Sequence, residues 1–209
     1  VIGVVVGLEA EAQIARALGC PVAVGGGGAA GAARAASSLV AQGVSHLVSF
    51  GLAGGLAPGL AAGTILVPDR VLDEAGRVWP VDARLAAHLG VAHGALLAVP
   101  GIVATAADKA ALWRQTGAMA ADIESGSVAA AGLGFAVLRV VCDPAERDLP
   151  PAALTALDAA GRIKPAALLR SLTRRPGQIA GLIALGRDAA SARRALLAEV
   201  RRIGPLSPS

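Results

Sequence analysis

The chain has 209 residues, 55% of them hydrophobic, with 27 Gly, no Tyr, two Phe and two Trp; it is long enough to bury a substantial core of small and branched side chains, and too poor in aromatics for a protein that stacks nucleic-acid bases. Its formal charge of +4 conceals an uneven split: residues 1–160 carry 9 Lys/Arg and 13 Asp/Glu, residues 161–209 carry 10 and 2, an acidic body with a basic tail. No apolar run approaches the ~20 residues of a membrane span, and Cys20 and Cys142 form no CxxC, so a reducing, cytoplasmic setting is expected.

Val1–Val6 is an apolar, β-branched run that predicts a buried strand. It runs straight into Glu9 and Glu11 without the basic start of a secretory leader. Glu9–Leu18 predicts a helix closed by Gly19, and Pro21–Val24 a short strand. Gly25–Gly28 then leads into an Ala-rich helix over Ala29–Ala41. The spacing Gly26-x-Gly28-x-x-Gly31 imitates a dinucleotide fingerprint, but the region Ser45–Gly51 lacks the acid that would hold a ribose. We read it as a turn allowing close helix–sheet packing, or as amides that meet an anion.

Ser45–Phe50 predicts a third strand, followed by a glycine-rich loop over Gly51–Gly63. Loops at strand carboxyl ends form the ligand crevice of open α/β sheets, and Gly51, Gly54 and Gly55 allow close backbone approach. The same residues suit a plain glycine loop equally well. Thr64–Leu72 predicts a strand with a bulge or edge at Pro68. Asp82–Leu89 predicts a helix, Ala95–Val99 a strand, and Asp108–Thr116 a helix capped by Asp108. Ala118–Ile123 predicts a brief strand, Glu124–Leu133 a helix and Phe135–Val141 a last strand; everything after Pro151 reads as helix. This alternation predicts a three-layer α/β/α domain around a twisted mixed sheet. We expect one domain over 1–209, with 151–209 as its basic helical extension.

Acidic residues fall at three strand ends: Glu9 and Glu11, Asp122 and Glu124, and Asp143. Such carboxylates could converge in one crevice, where glycosidic cleavage needs groups to protonate a leaving group, steady an electron-poor sugar and activate water. Glu9 and Glu124 also suit the simpler role of a carboxylate in a first helical turn. His46, His88 and His93 are scattered, and no metal site is expected.

Five segments in order resemble the nucleoside phosphorylases and the methylthioadenosine/S-adenosylhomocysteine nucleosidases. They are Gly3-Val-Val-Val-Gly-Leu-Glu-Ala-Glu11, Phe50-Gly-Leu-Ala-Gly-Gly-Leu-Ala-Pro-Gly-Leu60, Gly63-Thr-Ile-Leu-Val-Pro68, Asp122-Ile-Glu-Ser125 and Arg139-Val-Val-Cys-Asp143. The resemblance implies that Glu11 activates water, Glu124 holds the ribose hydroxyls, Ile123 lies beneath the sugar and Asp143 serves the purine N7. Gly51, Leu52, Ala53 and Gly54 would border the substrate. Cys142 stands where nucleosidases usually have Ser, and Leu52 where a small polar residue is usual. An aromatic residue expected near Ala107–Lys109 to stack on the base is missing.

Ala104-Thr-Ala-Ala-Asp-Lys-Ala-Ala-Leu112, Thr116-Gly-Ala118, Asp148-Leu-Pro150 and Arg174-Arg-Pro176 also resemble a hopanoid-associated branch of that family. That likeness implies removal of adenine from adenosylhopane, with inorganic phosphate as co-substrate and no other cofactor. The alternatives are hydrolysis of methylthioadenosine or S-adenosylhomocysteine, and a non-catalytic nucleoside-binding module. The expected partners are a small-molecule nucleoside and further copies of the chain, with no nucleic acid. Arg170, Arg174, Arg175, Arg187, Arg193, Arg194, Arg201 and Arg202 suit either a solvated helix face or peripheral contact with an anionic membrane.

Overall fold

The computed structural model describes residues 1–156 and 176–206. The first strand, β1 (Ile2–Val6), runs parallel to β2 (Val22–Val24) on one side and β3 (His46–Gly55) on the other. Over most of its length β3 pairs in parallel with the last strand, β9 (Gly134–Asp143). At its glycine end it crosses to antiparallel pairing with β8 (Ala120–Asp122). Beyond β8 the sheet continues through β7 (Ala95–Ala98), β5 (Arg70–Asp73) and β6 (Val78–Pro80), while β4 (Ile65–Leu66) pairs antiparallel with β9. The sheet is therefore mixed.

Alternation along the strands assigns the two faces. Val4 and Val6 of β1, Val48 and Phe50 of β3, and Ala136, Leu138 and Val140 of β9 face α1 (Glu9–Ala15), α3 (Ala83–Leu89) and α7 (Ile179–Ile203). Val5, Leu47, Val137 and Val141 face α2 (Ala29–Ala41) and α5 (Ser125–Ala129). The expected three layers are present. The close approach read from the glycine run is also there: a side chain on Gly31 in α2 would overlap the carbonyl of Gly25.

Several boundaries differ from the sequence reading. Gly51–Gly55 continues β3 instead of forming a loop, because its backbone is paired on both sides, to β9 and β8. The strand expected over Thr64–Leu72 breaks at Pro68 into β4 and β5, since proline has no amide for the ladder. The short strand β6 was not anticipated. The helix α4 (Ala106–Thr116) begins two residues before the expected start, capped by Thr105, whose hydroxyl oxygen accepts from the Asp108 amide at 3.0 Å; Asp108 lies inside the first turn. A short helix, α6 (Pro151–Ala156), follows the last strand.

Residues 157–175, which include Arg170, Arg174 and Arg175, lie outside the described residues. On α7, Ala192, Leu196, Glu199 and Val200 form the buried stripe, at spacings of four, three and one. Arg187, Arg193, Arg194, Arg201 and Arg202 face outward. No described helix is long and apolar enough to cross a membrane.

Candidate active site

The carboxyl ends of β1, β3, β8 and β9 meet at one cavity of about 540 Å³. Glu11, Leu52, Ala53, Gly54, Ile123, Glu124, Cys142 and Asp143, eight of the nine residues singled out from the sequence, line it. Gly51 lies immediately behind its wall, next to Leu52.

Glu11 sits in the first turn of α1 and folds back on the strand that precedes it. Its Oε2 accepts from the amides of Gly7 at 3.0 Å and Leu8 at 2.8 Å, and its Oε1 accepts from the amide of Leu52 at 3.0 Å. This carboxylate thus joins the ends of β1 and β3. Gly51 makes the approach possible. Its φ of 147° disfavours an L side chain, and a Cβ there would lie 2.7 Å from Arg139 Nη1 and still closer to Glu11 Oε1.

Behind Glu11 lies a charged cluster on the α2/α5 face of the sheet. Arg139, the single charge within Phe135–Cys142 of β9, is fully buried. Its Nη2 reaches Asp122 at 2.5 Å, Ser49 Oγ at 2.9 Å and Glu124 Oε2 at 3.3 Å. Asp122 also accepts hydrogen bonds from the amide and hydroxyl of Ser125. Among the described residues Arg139 Nε has no hydrogen-bond partner. Burial alone would favour the neutral guanidine, but Asp122, Glu124 and Glu11 more than offset it and hold Arg139 charged. Glu124 is pulled both ways. Burial pushes its carboxyl above the ordinary range, Arg139 opposes this, and the neighbouring Asp122 and Glu11 add to the rise.

Asp143 ends β9 at the other side of the cavity. Lys109 of α4, wholly buried, donates to Asp143 Oδ2 at 2.6 Å and to the carbonyls of Pro144 and Arg147 at 3.0 Å each. The Cys142 thiol donates to Asp143 Oδ1 at 3.3 Å. Burial raises the Asp143 carboxyl above its usual range, while Lys109 and the thiol pull it down. Burial, reinforced by the Asp143 carboxylate, pushes the Cys142 thiol well above its ordinary range, so Cys142 acts here as a hydrogen-bond donor and not as a thiolate.

Sequence reasoning missed two charged members of this arrangement, Arg139 and Lys109. Arg139 was legible as a lone charge within a buried apolar strand, since an arginine is almost never fully buried unless paired. Lys109 lies in an Ala-rich helix whose pattern gives no sign that it turns inward. Among the described residues no group of three or more His, Cys, Asp or Glu side chains is arranged to hold a metal.

The remaining wall is apolar. Val99, Ile102, Val103, Leu149, Leu154 and Leu185 contribute to it, and Ile102 and Leu154 remain 58% and 40% exposed. Among the described residues no aromatic side chain lines the cavity.

A model of the phosphorylase superfamily matches residues 19–83. No curated protein sequence matches the chain. Solved structures match over nearly the full length at low identity. The 5′-methylthioadenosine/S-adenosylhomocysteine nucleosidase of Helicobacter pylori is 16% identical, with 96% of this chain and 97% of that one covered and a TM-score of 0.66. The corresponding nucleosidase of Neisseria meningitidis, in complex with methylthio-immucillin-A, is 15% identical, with 95% and 96% covered and a TM-score of 0.67. The futalosine hydrolase of H. pylori is 16% identical, with 96% and 97% covered and a TM-score of 0.66. The protein has the α/β fold of these nucleosidases.

Proposed function

We propose that the protein belongs to the nucleoside phosphorylase/nucleosidase family and cleaves the N-glycosidic bond of an adenine nucleoside. The observation that carries this reading is the convergence of Glu11, Glu124 and Asp143, from three separate strand ends, on one cavity. Three carboxyls on the wall of one cavity of about 540 Å³ suit the three tasks of the reaction. Asp143 protonates the departing base, Glu124 steadies the oxocarbenium-like sugar, and Glu11 prepares the acceptor.

Water is the better acceptor for this site, although the sequence resemblance implies phosphate. The amides of Gly7, Leu8 and Leu52, which could cradle an anion, are already taken by the Glu11 carboxylate. Among the described residues the surrounding side chains are the carboxyls Glu11, Asp122 and Glu124, with Asp143 acting in its protonated form, against two cations, Arg139 and Lys109. A phosphate dianion would enter against that balance. Adenine release is therefore expected to proceed equally in phosphate and phosphate-free buffer, giving the free sugar. Glu11→Gln is expected to slow it about 100-fold in both buffers, the low end of what a positioned base contributes. Chromatography of the products from several adenosine derivatives tests this. A strict need for phosphate with a sugar 1-phosphate product, or loss in Glu11→Gln confined to phosphate-free buffer, would make the enzyme a phosphorylase. Absence of adenine release in either buffer would leave a nucleoside-binding module.

The apolar wall supports a substrate with a large apolar 5′ substituent, of the adenosylhopane type, over methylthioadenosine. Such a nucleoside resides in a bilayer. The outward arginines of α7, with the exposed Ile179 and Ile183 at its start, suit reversible contact with an anionic membrane, where each basic residue contributes ~1 kcal/mol. Co-sedimentation with anionic liposomes, fading as salt rises, is expected; absence of binding at low salt would leave α7 as a solvated face.

A further inference from the structure

The segments Ala104–Leu112 and Asp148–Pro150 have no role in the chemistry described so far, yet they meet around one buried cation. Lys109 has no exposed surface, and its ammonium meets three acceptors: Asp143 Oδ2 and the carbonyls of Pro144 and Arg147. The elements that carry it are braced on the same turn of chain. Asp148 accepts from the amide of Ala106 at 2.7 Å in the first turn of α4, and the Leu149 amide donates to the carbonyl of Ala104 at 2.7 Å. Glu146 accepts from the Gly59 amide at 2.7 Å, and Arg147 pairs with Asp188 of α7. Residues 143–149 are thus tied to three separate parts of the fold, with Lys109 at the centre.

A buried lysine is costly, and for stability alone an apolar side chain would serve as well or better. Its placement has a chemical consequence. Oδ2 is held by the ammonium at 2.6 Å, whereas Oδ1 takes the weaker thiol hydrogen bond of Cys142 at 3.3 Å, which leaves Oδ1 the carboxyl oxygen more open to a ligand. Building on the glycosidic cleavage proposed above, we propose that Lys109 is a positioning residue for Asp143: it clamps Oδ2, presents Oδ1 to the purine, and stabilises the carboxylate formed when Asp143 gives up its proton. As the bond between C1′ and N9 breaks, its electron pair passes to the purine and the Oδ1 proton goes to N7. Water bonds to C1′, and its proton goes to Glu11. The negative charge left on Asp143 is met by the Lys109 ammonium without rearrangement.

Among the described residues the groups facing Asp143 are Lys109 from α4, the Cys142 thiol from β9, and Asp188 from α7, which Arg147 already neutralises. Removing Lys109 takes away the cation beside the buried carboxyl, so its proton is held more tightly and given up less readily. Lys109→Met is expected to lower kcat for adenine release about 10- to 100-fold, at or below the usual range for a general acid because Asp143 itself remains. The alkaline limb of the pH profile should move to higher pH. Lys109→Arg should recover part of the loss, and the double variant with Asp143→Asn should be no slower than Asp143→Asn alone. Carbon-13 NMR of the Asp143 carboxyl, assigned by its loss in Asp143→Asn, gives the same comparison without turnover: its titration should move upward in Lys109→Met. If Lys109→Met does not fold, Lys109→Gln, which keeps a donor for the carbonyls without the charge, replaces it. A folded variant with unchanged kcat and an unmoved alkaline limb, or multiplicative losses in the double variant, would overturn the proposal. A wild-type protein that releases no adenine would instead defeat the glycosidic reading beneath it, whatever the NMR titration shows.

Discussion

Asp143→Asn is expected to lower kcat for adenine release by about 100- to 10,000-fold, the usual contribution of a positioned general acid, in a protein that still folds. The asparagine oxygen can keep accepting from Lys109, so the brace between β9 and α4 need not open. It cannot deliver a proton to the base. The pH dependence follows from the same group. Burial raises the Asp143 carboxyl above its ordinary range more than Lys109 and the thiol lower it. Asp143 acts in its protonated form, so activity is present below this raised value and is lost as pH rises through it. The alkaline limb should therefore disappear in the residual activity of Asp143→Asn. Steady-state kinetics across pH, with circular dichroism to verify the fold, is the measurement. Near-normal turnover in the folded variant would remove Asp143 from the mechanism.

The residues that gather at this cavity were legible because strand ends could be located from apolar runs, and the carboxylates stand just beyond them. Glu11 lies past β1, Glu124 past β8 and Asp143 at the end of β9. What could not be read was long-range pairing. Gly51–Gly55 looks like a loop in isolation, since glycine has no side chain to mark a strand; it is held as one by neighbours far away in the chain, β8 and β9. Thr105 and Asp108 both suit a helix start, and only the hydrogen bonds choose between them. Lys109 carries the same limit further. Helical periodicity gives its face, but the acceptors that draw it inward lie more than 30 residues away, at Asp143, Pro144 and Arg147. Arg139 differs, because a single charge inside Phe135–Cys142 already demanded a buried counter-charge, and the three neighbouring carboxylates supply it.

Glu124→Gln is expected to reduce kcat about 100- to 1,000-fold, the scale seen when one preorganised electrostatic group is removed from an active site, with a much smaller effect on KM. Glutamine can still hydrogen-bond a ribose hydroxyl, so ground-state binding largely survives. Positive charge grows on the sugar mainly in the transition state, and only a carboxylate answers it, so the loss belongs to the chemical step. The setting of Glu124 makes the charge available at a cost. Burial and the nearby Asp122 and Glu11 favour its protonated form, and Arg139, 3.3 Å away, works against them. Its carboxyl therefore lies above the ordinary range, and because Glu124 must act ionised, activity should fall as pH drops through that raised value. This is the opposite sign from Asp143, so the wild-type profile should be bell-shaped, with limbs that belong to the interacting cluster as well as to single groups. Glu124→Gln should flatten the acid limb while leaving the alkaline one in place. The decisive comparison is kcat and KM, each measured against pH in the wild type and the variant. A change confined to KM, or an acid limb that persists unchanged in Glu124→Gln, would show that Glu124 binds the sugar without stabilising its cation.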